Sequence, residues 1–113
     1  MILKHALTRY LNECAEQEGI EIDIWLHNNE VNWQKVGCSG HVVNKKTGSC
    51  VYINTEPALH GKVLYRMARD VTDYSSTSLI NGYNRWCNND ADELAYRIIR
   101  LLTKEKARRR DEK

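Results

Sequence analysis

Residues 20 to 26 read Ile20-Glu21-Ile22-Asp23-Ile24-Trp25-Leu26, so apolar residues alternate with acidic residues and one tryptophan. Side chains of a β-strand point to its two faces in turn, and this period of two predicts a strand with one buried and one exposed face. Trp25 shares the side of Glu21 and Asp23. We therefore expect Trp25 on the exposed face of a sheet.

The residues after this strand predict an antiparallel meander. Residues 27–30 are interpreted as a turn, because adjacent asparagines tolerate positive φ. In the second strand the apolar positions change parity between Trp33 and Val36, which predicts a bulge near Gly37. Residues 44–48 form the next turn and residues 49–55 the third strand. This arrangement places Trp33 across the hairpin from Trp25.

Helical spacing of apolar residues appears at both ends of the chain. Between residues 3 and 18 it involves Leu3, Leu7, Tyr10, Leu11, Cys14 and Ala15. Gly19 is placed to end this helix in a left-handed conformation. A final helix is predicted from about Asp90, with Asp90 and Glu93 as capping residues. Its buried stripe would consist of Leu94, Ala95, Ile98, Leu101 and Leu102.

Two shorter segments complete the prediction. Residues 63–68 alternate as a fourth strand, with a short helix as the alternative, and residues 83–87 are candidates for a last strand at the sheet edge. The predicted fold class is α+β: a two-layer sandwich with an antiparallel sheet of four (three to five) strands and both helices on one face. Residues 1–113 would form one domain, with residues 104–113 as a charged, frayed tail.

Composition excludes several classes of protein. The 113 residues contain no apolar run near the roughly 20 residues needed to span a bilayer, so we expect no membrane partner. The N-terminus lacks the pattern of a secretion signal, which favours a cytoplasmic location. A net charge of +2 is too small to require a nucleic-acid partner.

The four cysteines contain no C-x-x-C pair of the kind found in zinc or redox sites. In a reducing compartment such cysteines are small buried apolar residues. The nearest approach to a metal pattern is Cys38, His41 and Cys50. Cys38 and His41 would point to opposite faces of a strand unless Gly40 marks a bulge. We expect neither a metal nor another cofactor.

No local pattern indicates catalysis. Cys87 or Cys38 could formally pair with His41 or His60, but the surrounding residues resemble no cysteine hydrolase. The glycines have neither of the spacings that bind phosphate groups of nucleotides. We therefore expect a protein that is not an enzyme and that acts by binding.

The order of helix, meander and helix resembles double-stranded RNA-binding domains, and Leu11-Asn12-Glu13 is similar to the start of their first helix. The resemblance covers about half of the chain. In that family the last helix begins with lysines that contact phosphates, whereas residues 90–93 here are Asp, Ala, Asp and Glu, which would repel them. The likeness is therefore interpreted as one of topology alone.

The leading hypothesis is a small intracellular binding protein that inhibits or modulates a nucleic-acid-processing enzyme by protein contact. In size and organisation the chain resembles accessory proteins of phages and mobile elements, a group that includes anti-CRISPR inhibitors; no motif is shared and no residue is carried over. Exposed aromatic and arginine residues are common interface anchors. The candidate protein-binding residues are Asp23, Trp25, Trp33, Tyr74, Tyr83, Arg85 and Trp86.

Direct binding of DNA or RNA is the alternative function, since lysine and arginine hold phosphates while bases stack on aromatic rings. Its candidate residues are Lys45, Lys46, Arg66, Arg69, Arg85, Arg108, Arg109 and Arg110. A homodimer is a third alternative, because self-association would also explain exposed aromatic residues. The sequence allows Trp86 to lie in the core or on the surface, and packing under the final helix is the favoured placement.

Overall fold

The alternating segments pair in chain order into one antiparallel five-stranded sheet, β1-β2-β3-β4-β5. In this computed structural model the backbone is described for residues 1–73 and 84–111, and the side chains of these residues except 59 and 104–111. The strands span β1 (Ile22–Val31), β2 (Gln34–Asn44), β3 (Cys50–Asn54), β4 (Val63–Ala68) and β5 (Arg85–Cys87). A 3-10 turn, Leu59–Gly61, precedes β4.

Two helices cover one face of this sheet. Helix α1 (Lys4–Glu18) precedes β1, and helix α2 (Ala91–Asp111) follows β5. Both pack against each other and against the strands in one core, to which α1 contributes Leu7, Leu11 and Ala15 and α2 contributes Leu94, Ala95, Ile98, Ile99 and Leu102. The α+β prediction with both helices on one face is confirmed.

The helix ends follow the sequence signals. Gly19 has φ 67° and ends α1 in the left-handed region, as predicted. The carboxylate of Asp90 accepts the backbone N–H groups of Asp92 and Glu93 at 3.0 and 3.3 Å and caps α2. The first turn of α1 is capped from outside the helix, because Lys4 donates its backbone N–H to Asn28 Oδ1 in β1 at 2.8 Å.

The predicted bulge near Gly37 is confirmed, but the turn before it lies elsewhere. Asn29 pairs with Gly37 and Glu30 pairs with Lys35, so Val36 is the extra residue in β2. Residues 27–30, predicted as a turn, belong to β1, and the chain reverses at Asn32 and Trp33. The strand continues because pairing with β2 satisfies the backbone groups of these residues, which outweighs the turn preference of two asparagines.

The later strands agree with the prediction. Residues 63–68 form a strand and not a helix, and β5 lies at the sheet edge beside β4. The two additional strands between β3 and α2 also separate this topology from the three-strand order of double-stranded RNA-binding domains.

Candidate functional site

Three large apolar side chains are exposed on the β1–β2 hairpin. Trp25 is 58% exposed, Val31 52% and Trp33 96%. Among the described residues, only Met1 and Tyr96 are further exposed large apolar residues. Trp25 and Val31 are both odd-numbered residues of β1 and therefore share the sheet face opposite the helices. The hairpin thus carries most of the exposed large apolar residues in the part of the chain that the structure describes.

The outer half of this hairpin extends beyond the rest of the sheet. Pairing between β1 and β2 continues as far as Val31 and Gln34, whereas β2 pairs with β3 only from Ser39 to Val43. We call residues 29–37 the hairpin arm. At its base, Gly37 lies close to the chain after β3, where an added Cβ would be 2.7 Å from the backbone nitrogen of Glu56. The next residue, Cys38, donates its backbone N–H to Thr55 Oγ1 and accepts the Thr55 backbone N–H, both at 2.8 Å. The arm is therefore a two-stranded projection from a fixed base.

Trp33 occupies the tip of the arm in a conformation that its side chain disfavours. Asn32 has φ 51° and Trp33 has φ 68°, both in the region required by a two-residue type I′ hairpin turn. Asparagine followed by glycine is the usual sequence of such a turn, and a bulky residue at positive φ is strained. Burial does not compensate for this strain, since the Trp33 side chain is 96% exposed. Its presence has no explanation in the stability of the fold.

Acidic side chains flank this apolar surface. Glu21 and Asp23 are exposed and share the strand face of Trp25, whereas Glu30 has the opposite parity and pairs with the exposed Lys35 of β2. The Asp23 carboxylate lies 3.6 Å from Lys45 Nζ, with both side chains half-exposed. At the base of the arm, Ser39 Oγ lies 3.1 Å from Asn29 Oδ1 and 3.2 Å from His27 Nε2. The surface around Trp25 is consequently polar and predominantly acidic along β1.

A buried polar cluster lies on the same sheet face, further from the edge. It consists of His41, Tyr52, Arg66 and Asp73, each at most 9% exposed. Arg66 Nη1 lies 3.8 Å from Asp73 Oδ2, and its guanidinium carbon lies 4.7 Å from the centre of the Tyr52 ring. His41 pairs with Tyr52, and Tyr52 with Arg66, in the sheet register. The strand order therefore brings these three side chains into one row.

Asp73 connects the segment after β4 to this row. His41 Nε2 lies 3.0 Å from the Asp73 carbonyl oxygen, and because a carbonyl can only accept, Nε2 donates. The Asp73 carboxylate also accepts the backbone N–H of Arg69 at 3.1 Å. Burial lowers the pKa of His41, and the nearby Arg66 charge lowers it further. The cluster is thus arranged around a neutral histidine and a paired buried charge.

The cysteine thiols are held in their protonated form. Burial raises the pKa of Cys50 to about 12. Burial and the hydrogen bond that Cys87 donates to the Glu93 carboxylate at 3.0 Å together raise the pKa of Cys87 to about 12. Burial also raises the pKa of Cys38. Because the thiolate is the nucleophile and the metal ligand, these environments disfavour both chemistries. Cys38 packs in the helix-side core, while His41 lies on the opposite face.

Pairing between β1 and β2 is continuous through Gly40, so there is no bulge there that would turn Cys38 toward His41. Within residues 1–73 and 84–111, no three histidine, cysteine or acidic side chains are grouped as metal ligands. The described helices include none that is long and apolar enough to span a membrane.

The remaining protein-binding candidates are separated in the fold. Arg85 is exposed in β5, at the sheet edge opposite β1. Trp86 is half-buried and pairs with Leu64, whose side chain packs on the face away from the helices, so Trp86 does not lie under α2. Tyr74 and Tyr83 lie outside the described residues. Trp33 does not face Trp25, whose cross-strand partner is His41; the shifted turn moves Trp33 to the tip.

The nucleic-acid candidates also divide. Lys45 and Lys46 are exposed together after β2, and the Arg69 side chain is 61% exposed. Arg66 is completely buried beside Asp73, which removes it from any phosphate-binding surface. The backbone of Arg108, Arg109 and Arg110 belongs to α2, and their side chains lie outside the described part.

Two features of the site were not predicted from the sequence. Val31 is exposed on the same sheet face as Trp25. The shared parity of the two residues would have indicated this if the predicted first strand had continued to residue 31. The cluster of His41, Tyr52, Arg66 and Asp73 leaves no local signal, because its residues meet only through the pairing of β2, β3 and β4.

Compared with known proteins, the chain matches no family model, and no curated protein and no solved structure matches it significantly.

Proposed function

We propose that this chain is a non-enzymatic binding protein that contacts a protein partner through the hairpin arm, with Trp33 at the centre of the contact and Val31 and Trp25 beside it. The observation that carries the proposal is Trp33 itself. A tryptophan that is 96% exposed at a positive φ of 68° adds strain to the turn and no packing to the core. Tryptophan is among the residues most enriched at the centres of protein interfaces.

The acidic surroundings indicate the kind of partner. Glu21 and Asp23 lie on the strand face of Trp25 and would complement a basic surface. The surfaces of nucleic-acid-processing enzymes that bind phosphates are basic. We therefore propose that the partner is such an enzyme and that binding of the arm inhibits or modulates it, in an intracellular setting such as that of phage and mobile-element accessory proteins.

The test is affinity capture from a lysate of the cell that makes the protein, comparing the wild type with Trp33→Ala. Tyr96→Ala is the matched control, because Tyr96 is also an exposed aromatic residue, at 57%, but lies on α2 and not on the arm. We expect the partner to be lost with Trp33→Ala and retained with Tyr96→Ala, while both variants unfold near the wild-type temperature. Equal capture by both variants would contradict the proposal.

Direct nucleic-acid binding is a second candidate, favoured by the neighbouring exposed side chains of Lys45 and Lys46 at the β2–β3 turn. Fluorescence anisotropy of labelled DNA and RNA across a salt series tests it, because each neutralised phosphate adds about one to the slope of log affinity against log salt. Charge reversal of both lysines should then weaken binding and reduce this slope. Unchanged affinity would exclude this surface.

A further inference from the structure

Strand β1 forms one edge of the sheet and is ten residues long. In the part of the chain that the structure describes, β2 is its only strand partner. An edge strand of this length leaves a row of N–H and C=O groups that can pair with another strand. The hydrogen bonds between β1 and β2 show which residues of β1 direct these groups outward.

Two hydrogen bonds establish the alternation. Lys45 donates its backbone N–H to the Glu21 carbonyl at 3.0 Å, so odd-numbered residues of β1 exchange bonds with β2. Thr55 donates to the Cys38 carbonyl at 2.8 Å, so Cys38 bonds toward β3, and its partner Asn28 does not bond to β2. The outward backbone groups of β1 therefore belong to the even-numbered residues Ile22, Ile24, Leu26 and Asn28.

We propose that two copies of this chain join their β1 strands antiparallel around a two-fold axis at Trp25, forming a continuous ten-stranded sheet. In this register the paired residue numbers add to 50. Ile24 of one copy pairs with Leu26 of the other through outward backbone groups, and Trp25 lies opposite Trp25 in a pair without hydrogen bonds. The inference goes beyond the proposed function and does not depend on it.

The side chains that face each other across the axis favour this register. Asp23 of each copy faces His27 of the other, and Glu21 faces Asn29, so no acidic residue lies opposite another. Moving the axis to Asp23 would place two carboxylates directly opposite each other. On the helix side the register pairs Ile24 with Leu26, two apolar residues. The axis at Trp25 thus joins aromatic with aromatic, acid with histidine, and apolar with apolar residues.

The dimer also leaves the hairpin arm free. Its first residue, Asn29, faces Glu21 of the second copy, whereas residues 31–35 extend past the paired segment, and antiparallel strands direct the two arms in opposite directions. Trp25 would lie beside Trp25 of the second copy, while Val31 and Trp33 keep their exposure, so a partner of the dimer would contact mainly Val31 and Trp33. A dimer would accordingly present two equivalent tips to partners.

Cysteine cross-linking tests both the dimer and its register. Opposed residues of a pair without hydrogen bonds have Cα atoms about 4.5 Å apart, within the range that a disulfide bridges. In a Cys14→Ser background, we expect Trp25→Cys to form a covalent dimer when oxidised glutathione accepts the two thiol hydrogens. Asp23→Cys is the matched control, since it should remain monomeric on a non-reducing gel. Preferential cross-linking of Asp23→Cys would overturn the register.

Charge exchange provides a second test without cysteine chemistry. By sedimentation, the wild type should be a dimer, whereas Trp25→Lys and Trp25→Glu should each be monomers, because like charges meet at the axis. Mixing the two variants should restore a dimer through an opposite-charge pair. A wild-type chain that sediments as a monomer up to about 1 mM would overturn the proposal and leave the edge to a strand of another protein.

A separate readout distinguishes this inference from the proposed function. Trp33→Ala should retain the Trp25→Cys cross-link and lose partner capture if both proposals hold. Absence of the Trp25→Cys cross-link, together with loss of capture in Trp33→Ala, would contradict the dimer alone. A cross-link that forms, together with capture that does not respond to Trp33→Ala, would contradict the proposed function alone.

Discussion

At the scale of single residues, Trp33 is the clearest departure from what the fold requires. The two-residue turn needs positive φ at both central positions, and residues other than glycine lose about 1 to 2 kcal/mol in this conformation. Natural proteins tolerate such local costs mainly where a residue has another task. The exposure and the positive φ of Trp33 therefore support the proposal that the hairpin tip serves contact.

This argument predicts opposite effects of one substitution on stability and binding. Trp33→Gly should raise the free energy of unfolding by about 1 kcal/mol, because glycine adopts positive φ without strain. The same change should abolish partner capture. Urea unfolding gives the stability, and the matched control Trp33→Ala, which keeps a Cβ, should lose capture without gaining stability. A destabilised Trp33→Gly variant would mean that the tryptophan packs on the fold.

At the scale of elements, the close approach of β1 and β2 depends on Gly40. This residue has φ 145°, and a Cβ built on it would overlap the backbone carbonyl oxygen of Trp25. The neighbouring atom belongs to the backbone and cannot rotate away as a side chain could. The pairing that supports the hairpin arm therefore requires glycine at this position.

Gly40→Ala should accordingly lower the free energy of unfolding by about 3 kcal/mol, because the strands must separate to admit the methyl group. Gly48→Ala is the matched control. Gly48 also has positive φ, 77°, but nothing lies within 4 Å of its added Cβ, so the cost should be only about 1 kcal/mol. Chemical denaturation of the two variants measures the difference. Equal losses of unfolding free energy in the two variants would mean that the cost comes from the positive φ alone and not from the contact with Trp25.

Most of the secondary-structure elements could be predicted from the sequence. Both helices, the strand alternation and the bulge at Val36 and Gly37 follow from apolar spacing, because burial of one face imposes the period. The prediction of a turn at residues 27–30 was wrong. The local turn preference of Asn28 and Asn29 competes with strand pairing, and no local sequence pattern shows that pairing. The exposure of Trp25 was predictable because it follows from the apolar alternation of β1. The position of Trp33 was not predictable because it depends on where the turn lies.

The buried cluster marks the limit of such prediction. Arg66 lies in an alternating segment where an exposed side chain is expected, yet it is completely buried beside Asp73. Its surroundings are assembled by His41 and Tyr52 from two other strands and by the segment after β4. A charged residue is seldom buried without a partner, and the partner here is seven residues away and unmarked by any motif.

At the scale of the whole molecule, the cluster links the stability of the fold to pH. The pKa of His41 lies below its ordinary value of 6.5, chiefly because of burial, so the unfolded chain binds a proton more readily than the folded chain. The free energy of unfolding is therefore fully developed above pH 6.5. It should fall as the pH drops from 6.5 toward the lower pKa of the folded state.

The measurement is urea unfolding at pH 7.5 and at pH 5.0, a window above the titration of the carboxylates. Wild-type protein should be less stable at pH 5.0, and His41→Gln, which keeps a donor for the Asp73 carbonyl but cannot titrate, should lose most of this difference. His5→Gln is the matched control, since His5 is exposed on α1, outside the cluster. If His41→Gln retained the wild-type slope, the acid sensitivity would have to arise outside the cluster, and the neutral histidine would not be the group that couples the sheet face to pH.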